Sequence, residues 1–332
     1  MTEDSLVAAL REIVEAPASE RSAGARKIVL GIGDDAAVWQ PSRSHLSVIS
    51  TDALVDGVHF LSATMDPEAI GHRAMAANLS DIAAMGARPV LATIALGVAP
   101  QTSQAWLLAC YRGMHGLAVR YGARIVGGDI VRSPALSLAL TVVGEASRSH
   151  VRRRASGRPK DIVAVTGRLG ASRAGLELLR RSLDVAQADR RVAEAAFARP
   201  EPRVREARFL AASVNVHAMM DLSDGVSSDL ARLTRASGCG ATIDDVPVHP
   251  AASAVALAAG DDARSYALDG GEDFELLVTV APRAFRHLAG RFERRFGKPL
   301  LPVGRLEAEP GVRLAGEGRA SALVAAGYDH LA

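Results

Sequence analysis

Short apolar runs that end on glycine or aspartate alternate with stretches of helical periodicity along most of the chain, a pattern that predicts mixed α/β structure. Residues 46–49 read as a strand ending at Ser50-Thr51-Asp52. A helix fits residues 66–85, with Asp66 as its N-cap, Pro67 in the first helical position and Gly86 as its stop. Residues 91–98 alternate like a strand, 103–120 are helical, and 124–126 form a short strand feeding Gly127-Gly128-Asp129. Residues 136–143 read as one more strand. The segment 147–160 is basic, polar and broken by glycine and proline, which predicts a boundary between domains 1–146 and 147–332. Beyond it, 162–165 are strand-like, 172–180 helical, and a charged, helix-rich stretch runs to about residue 213. A short apolar run at 218–220 opens onto Asp221-Leu222-Ser223-Asp224-Gly225, where a helix to about 236 begins. Residues 274–280 form a strong strand pattern preceded by Gly270-Gly271-Glu272-Asp273.

Composition narrows the class. At 332 residues, 48% hydrophobic and 23% charged, the chain can bury a sizeable core in two domains. Its net charge is +2, from 39 basic and 37 acidic residues, so no surface is built to neutralise nucleic acid. Only Cys110 and Cys239 are present, which argues against a disulfide framework and a structural zinc site and fits a reducing cytoplasm. The N-terminal residues carry acids where a signal peptide carries bases, and Leu6, Ala9, Leu10, Ile13 and Val14 recur at helical spacing. The uncharged stretch 89–111 is divided at Pro100-Gln101-Thr102-Ser103-Gln104, so no membrane span is expected.

Five acidic clusters set carboxylates beside glycine or small hydroxyl residues at the ends of apolar runs. They are Gly31-Ile32-Gly33-Asp34-Asp35, Ser50-Thr51-Asp52, Asn78-Leu79-Ser80-Asp81, Gly127-Gly128-Asp129 and Asp221-Leu222-Ser223-Asp224-Gly225. Magnesium takes oxygen ligands and is usually held by one or two carboxylates plus substrate phosphates, so carboxylates gathered from several loops suit it. Taken singly, each cluster reads more often as a turn. Asp81 is harder to dismiss, because it falls within a helix of small and apolar residues with Asn78 three positions before it on the same face. No G-x-x-x-x-G-K-[ST] occurs, which removes the P-loop and its lysine. Arg152-Arg153-Arg154 has the chemistry of a phosphate clamp, though such a run is more often a solvated face. His59 is a candidate acid, base or substrate contact, and a lone histidine is more often structural. Glu272 and Asp273 could meet a cationic ligand group or cap a turn.

In their order along the chain, the segments GIGDDAA, ISTDALVDGVHF, NLSDIAAMGARP, GGDIVRSP, VTGRLGASRAGL, DLSDGVSSDL, GGEDFELLVTV and the terminal GYDH resemble the thiamine-monophosphate kinase family, within the superfamily that includes aminoimidazole ribonucleotide synthetase and selenophosphate synthetase. The resemblance runs from about residue 31 to 330. It implies an N-terminal α/β domain that dimerises through its sheet, a C-terminal α/β domain, and a site between them. The implied reaction converts ATP and thiamine monophosphate to ADP and thiamine diphosphate by direct in-line transfer with several Mg²⁺ ions. By the same resemblance Asp35, Ser50, Thr51, Asp52, Asp81, Asp129, Asp221 and Asp224 are metal ligands, and Asp52 and Asp81 bridge metals. Asp52, Asp129 and Asp221 are then the catalytic carboxylates, and Tyr111, Gly128, Arg154 and Ser223 contact ATP. His59, Glu272 and Tyr328 are assigned to thiamine monophosphate, where a carboxylate and an aromatic ring suit a thiazolium cation. Two departures stand out: Ile130-Val131 follows Asp129 where relatives usually carry threonine, and Lys160 replaces a common glycine. The alternatives are another synthetase of the superfamily and a catalytically silent nucleotide- or metal-binding module. A selenophosphate synthetase needs a reactive cysteine in its N-terminal segment, and here no cysteine precedes Cys110.

Overall fold

The structure is a computed structural model that describes residues 3–15, 27–32, 36–316, 321–324 and 326–327. The chain divides into two compact units, Met1–Ile82 with Ala87–Arg148, and Ala83–Gly86 with Ser149–Ala332.

The first unit opens with α1 (Glu3–Glu15), β1 (Ile28–Leu30), β2 (Val38–Trp39) and β3 (Leu46–Val55). It continues through α2 (Pro67–Ala84), β4 (Arg88–Val98), α3 (Gln104–Arg120), β5 (Arg124–Arg132) and β6 (Ser137–Ala146). Helix α2 starts where its caps predict: the Asp66 carboxylate accepts the Ala69 amide at 3.1 Å, satisfying one of the free N–H groups of the first turn. Helix α3 likewise begins after Ser103, whose hydroxyl accepts the Trp106 amide at 3.2 Å. Four strands form one sheet in the order β3-β6-β4-β5, with β4 and β5 parallel and the other pairs antiparallel. One face of this sheet is covered: Leu138, Leu140, Val142, Ile94 and the α2 residues Ile70, Met75, Leu79 and Ile82 have no exposed surface. The other face is covered at one end, where Leu91 and Val143 pack against Ile28, Ala37 and Trp39, and is otherwise open, with Ile49 66% and Val131 52% exposed.

Two strands run further than their apolar patterns predict. β3 continues through Ser50-Thr51-Asp52 to Val55, because β6 pairs with it residue for residue from Leu46 opposite Ala146 to Val55 opposite Ser137. β5 continues through Gly127-Gly128-Asp129 along β4, with an irregularity in register after Ile125. Gly128 is required there, since a Cβ would lie 1.9 Å from the Ile94 carbonyl oxygen. Both aspartates therefore stand within strands rather than at strand ends.

The second unit contains β7 (Ile162–Val165), α4 (Ala171–Arg180), α5 (Gln187–Ala198), α6 (Val204–Ala211), β8 (Val216–Asp221), α7 (Val226–Ser237) and β9 (Gly240–Ile243). These are followed by α8 (Pro250–Ala259), α9 (Ala263–Asp269), β10 (Leu276–Val280), α10 (Pro282–Phe296), β11 (Leu301–Glu307), β12 (Gly311–Leu314) and β13 (Ser321–Ala322). Its seven-stranded sheet has the order β13-β12-β9-β11-β7-β10-β8, antiparallel except for β12 beside β9. Val163, Val165, Leu277, Ala218 and Leu306 share one core with Leu230 and Leu233 of α7. β10 begins two residues later than its apolar pattern, because Glu272 and Phe274 adopt φ of 54° and 47°, outside the β region. No described helix is long and apolar enough to cross a membrane.

Lys160 has φ 78°, in the left-handed region that favours glycine, and its amide donates to the Leu306 carbonyl at 2.7 Å. A lysine held in the left-handed region carries a Cβ penalty of about 1–2 kcal/mol, partly offset by the greater unfolded-state entropy of glycine. Lys160→Gly is therefore expected to stabilise the second unit by about 0.5–1 kcal/mol, seen as a raised midpoint in thermal or urea unfolding. A lowered midpoint would contradict the strain.

Candidate functional site

In the first unit β3 and α2 bring together Ser50, Asp52 and Asp81. Strand alternation sends Ser50 and Asp52 to the helix-covered face. Asp81 reaches them from the fourth turn of α2, where the Ser50 hydroxyl donates to its carboxylate. Burial raises the Asp52 carboxyl to about 6, and the charge and hydrogen bond of Asp81 add to the rise. Two carboxylates that share this space favour a proton or a cation between them. Asn78, one turn earlier on the same helix, is fully buried; its amide nitrogen donates to the Ala74 carbonyl at 3.1 Å, and its side-chain oxygen has no partner. Among the described residues no group of three or more His, Cys, Asp or Glu is arranged to hold a metal. The pair plus a hydroxyl is nevertheless a donor set that fits Mg²⁺, which normally completes its octahedron with phosphate oxygens and water.

Thr51 and Asp129 are not part of this group. Thr51 lies on the open face, where its hydroxyl donates to the Leu140 carbonyl at 2.9 Å and accepts from the Thr141 hydroxyl at 3.1 Å. Asp129 is exposed and pairs in register with Ala95, which pairs with Ala139, which in turn pairs with Ala53, so it belongs to the row beside Asp52 on the opposite edge strand. Three strand spacings separate those edges, about 14 Å. One ion cannot bind Asp52 and Asp129 of the same copy.

The remaining first-unit candidates are dispersed. His59 is half-buried within a turn, and its Nδ1 accepts the Val55 amide at 3.1 Å, which leaves the ring proton on Nε2. Tyr111 is 4% exposed within α3, and burial pushes its hydroxyl pKa up. Asp35 lies outside the described residues.

In the second unit the residues 221–225 form the turn between β8 and α7. The loop before β10 crosses it: the Glu272 amide donates to the Ser223 carbonyl at 2.7 Å and the Phe274 amide to the Leu222 carbonyl at 3.0 Å. Asp221 is buried, while Ser223, Asp224 and Glu272 are half-buried. Asp273 takes the capping role: its carboxylate accepts the Gly170 amide at 2.8 Å and the Ser172 amide at 3.4 Å, at the start of α4. Its neighbour Glu275 is buried beneath, forked by Arg203 at 2.9 and 2.6 Å. Burial opposes the Glu275 charge, but Arg203 and Lys298 outweigh it and hold the pKa below the usual range.

Arg152 is not available as a phosphate clamp. Its guanidinium is buried and donates to the carbonyls of Ser149, Ala211 and Ser213. Arg153 and Arg154 are exposed, and the Arg154 carbonyl accepts from the Ser237 hydroxyl at 2.7 Å. Tyr328 lies outside the described residues, but Gly327 before it docks on α7, its amide donating to the Ser228 hydroxyl at 3.1 Å. A Cβ on Gly327 would stand 2.1 Å from the Asp224 carbonyl oxygen, so only glycine allows this approach.

Two residues emerge from the structure without having been singled out in the sequence. Asp229 is fully buried and its Oδ2 accepts the amides of both Ser223 and Asp224, at 3.1 and 3.0 Å. Arg232 contacts Asp229 at 2.9 Å and also donates to Asp224. The spacing of Asp229 and Arg232 was visible as an i,i+3 helix pair, but such pairs are usually solvated and structural.

Residues 33–146 match the N-terminal domain model of AIR synthase related proteins, and residues 158–315 match the C-terminal one. The thiamine-monophosphate kinase of Salmonella typhimurium is 37% identical over 305 residues, covering 91% of this chain and 92% of the relative. The crystal structure of thiamine-monophosphate kinase from Stenotrophomonas maltophilia superposes with a TM-score of 0.82 at 34% identity, over 96% of this chain and 98% of that one. AaThiL complexed with AMPPCP and TMP superposes with a TM-score of 0.76 at 27% identity, over 99% and 96% of the two chains. The solved hydrogenase-maturation protein HypE of Escherichia coli, at 22% identity and a TM-score of 0.78, shares the fold. With both domain models matched across most of its length and relatives alike over nine-tenths of it, the chain belongs to the thiamine-monophosphate kinase family.

Proposed function

We propose that this protein transfers the γ-phosphoryl group of ATP to thiamine monophosphate, giving ADP and thiamine diphosphate. The observation that carries the reading is the Ser50–Asp52–Asp81 group, a crowded carboxylate pair within a chain whose relatives are thiamine-monophosphate kinases. The solved complex of AaThiL with AMPPCP, a methylene-bridged analogue of ATP, and TMP supports the same two substrates.

The chemistry asks little covalent work of the protein. A phosphate oxygen of thiamine monophosphate attacks the γ-phosphorus in line, the bond from that phosphorus to the β,γ-bridging oxygen breaks, and ADP leaves. A phosphate monoester loses its second proton near pH 6, so the acceptor is already a nucleophile at neutral pH and no general base is required. The difficulty is the meeting of two polyanions. When bound, Mg²⁺ would supply the charge neutralisation and orientation that such a transfer needs. Within the first unit we assign Asp52, Asp81 and Ser50 to hold metal, and within the second unit, separately, Asp221 and Asp224; Asp35, Thr51 and Asp129 complete the set that the family resemblance implies. Ser223, Arg154, Gly128 and Tyr111 are assigned to ATP, Tyr111 with the weakest case because its ring is buried. His59, Glu272 and Tyr328 are assigned to the acceptor, with His59 offering an Nε2–H donor and Glu272 a negative charge for the thiazolium. The two cysteines are buried and unpaired, which suits a cytoplasmic enzyme.

We also assign a homodimer, formed through the open face of the four-stranded sheet. That face carries exposed Ile49, Ala53, Ala95 and Val131, an apolar surface that a second copy would remove from water. Thr51 and Asp129 share it, so dimerisation would set both at the junction of two copies.

Three outcomes follow. ADP formation with Mg²⁺ should require thiamine monophosphate and fall roughly 10²–10³-fold in Asp52→Asn, measured by coupled ADP assay; unchanged turnover, or turnover with other phosphate acceptors alone, would sink the assignment. Glu272→Gln should raise KM for thiamine monophosphate about ten-fold and leave KM for ATP within about two-fold; a selective loss of ATP affinity would reverse the roles. Sedimentation of the wild type should give a dimer, and Ile49→Asp should shift it towards monomer; a monomeric wild type would remove the dimer.

A further inference from the structure

The turn that carries Asp221, Ser223 and Asp224 is held by a carboxylate and a guanidinium from the helix that follows it. Asp229 lies in the first turn of α7 with no exposed surface. Its Oδ2 collects two consecutive backbone N–H groups, those of Ser223 and Asp224. Converging amides of this kind form a small anion-binding concavity, and here the anion is the protein's own side chain. Its Oδ1 accepts from Nη1 of Arg232 at 2.9 Å, and the same nitrogen donates to Oδ2 of Asp224.

The three groups differ sharply in exposure. The Arg232 side chain is 41% exposed, that of Asp224 22%, and that of Asp229 has no exposed surface. Asp229 is therefore a fixed anchor, whereas the guanidinium is free on one side to water. An arginine cannot lose its charge at any working pH, so it neutralises Asp224 permanently unless it moves.

We propose that Arg232 is a resident counter-ion for Asp224, which a divalent cation must displace before that carboxylate can serve the nucleotide. This rests on the reading of Asp224 as a metal-binding residue. Asp229 keeps the displaced guanidinium beside the turn, because its buried carboxylate still needs a positive partner. The arrangement holds the 221–225 turn in one conformation without metal and sets a threshold of cation concentration for loading it. Arg232 and Asp229 are thus positioning residues, acting through Asp224.

The test is metal binding by the full-length protein without nucleotide, read by titration calorimetry with Mg²⁺ and by the EPR signal of free Mn²⁺. Arg232→Gln should bind the ion about five-fold more tightly, the scale of an exchangeable, half-exposed ion pair, and should lower the Mg²⁺ concentration for half-maximal ADP formation in parallel. Arg232→Lys, which keeps the charge and loses the fork, should fall between the two. In an Asp224→Asn background the Arg232→Gln effect should vanish. If Arg232→Gln and Arg232→Lys bind as the wild type does while Asp224→Asn binds more weakly, the counter-ion role is overturned and the metal role of Asp224 survives. If Asp224→Asn also binds as the wild type does, the metal role itself fails and the inference falls with it.

Discussion

Two carboxylates placed against each other on a covered sheet face constrain the whole first unit. Asp52 and Asp81 are held together because neither carrier can yield: β3 pairs along its full length with β6, and α2 presents residues with no exposed surface on either side of Asp81. Both carboxylates are half-buried, and the repulsion is met chemically, by the Ser50 hydroxyl on Asp81 and by the raised pKa of Asp52. A protein that maximised stability would place an apolar pair here. That it places acids argues for a cation as the intended partner, and the unpartnered oxygen of Asn78 one turn earlier adds an acceptor to the same neighbourhood.

Where the sequence was legible, local rules and tertiary structure agreed. Asp66 and Pro67 begin α2 and Ser103 begins α3, since capping is decided within one turn of chain. Strand ends were not legible. Ser50-Thr51-Asp52 and Gly127-Gly128-Asp129 look like turns because their residues favour turns, yet both are strand because a neighbour supplies a complete hydrogen-bond ladder. The difference matters to the chemistry. In a turn, Ser50, Thr51 and Asp52 could all point one way; in a strand they alternate, and Thr51 goes to the opposite face from its neighbours. The positive φ of Lys160 falls where the family resemblance leads one to expect glycine, whereas those of Glu272 and Phe274 had no local signal, because the loop crossing that enforces them joins segments some fifty residues apart.

Asp229 and Arg232 escaped notice for a related reason. Read along α7, they are one more i,i+3 pair, and only the fold reveals that the turn before the helix curls back onto Asp229. Asp273 shows the converse. It stands beside Glu272 in an acidic pair that invites a ligand, yet its carboxylate caps α4 and Glu275 is forked by Arg203. Two of three acids within four residues are thus structurally committed, and the assignment of Glu272 to substrate rests on the family resemblance.

These arrangements share one physical logic. A P-loop binds phosphate with backbone N–H groups and a lysine, donors already of the right sign. Here the consecutive amides that could have formed such a cradle, those of Ser223 and Asp224, are turned onto the Asp229 carboxylate, and the neighbouring side chains are acids. On the proposed function, a surface of that sign repels nucleotide until cations intervene, so cation occupancy and nucleotide binding would be coupled, each raising the affinity of the other by the same factor. The same argument explains the presence of an arginine among the carboxylates: a fixed positive charge lowers the cost of keeping them close before any ion arrives, at the expense of competing with the ion when it does.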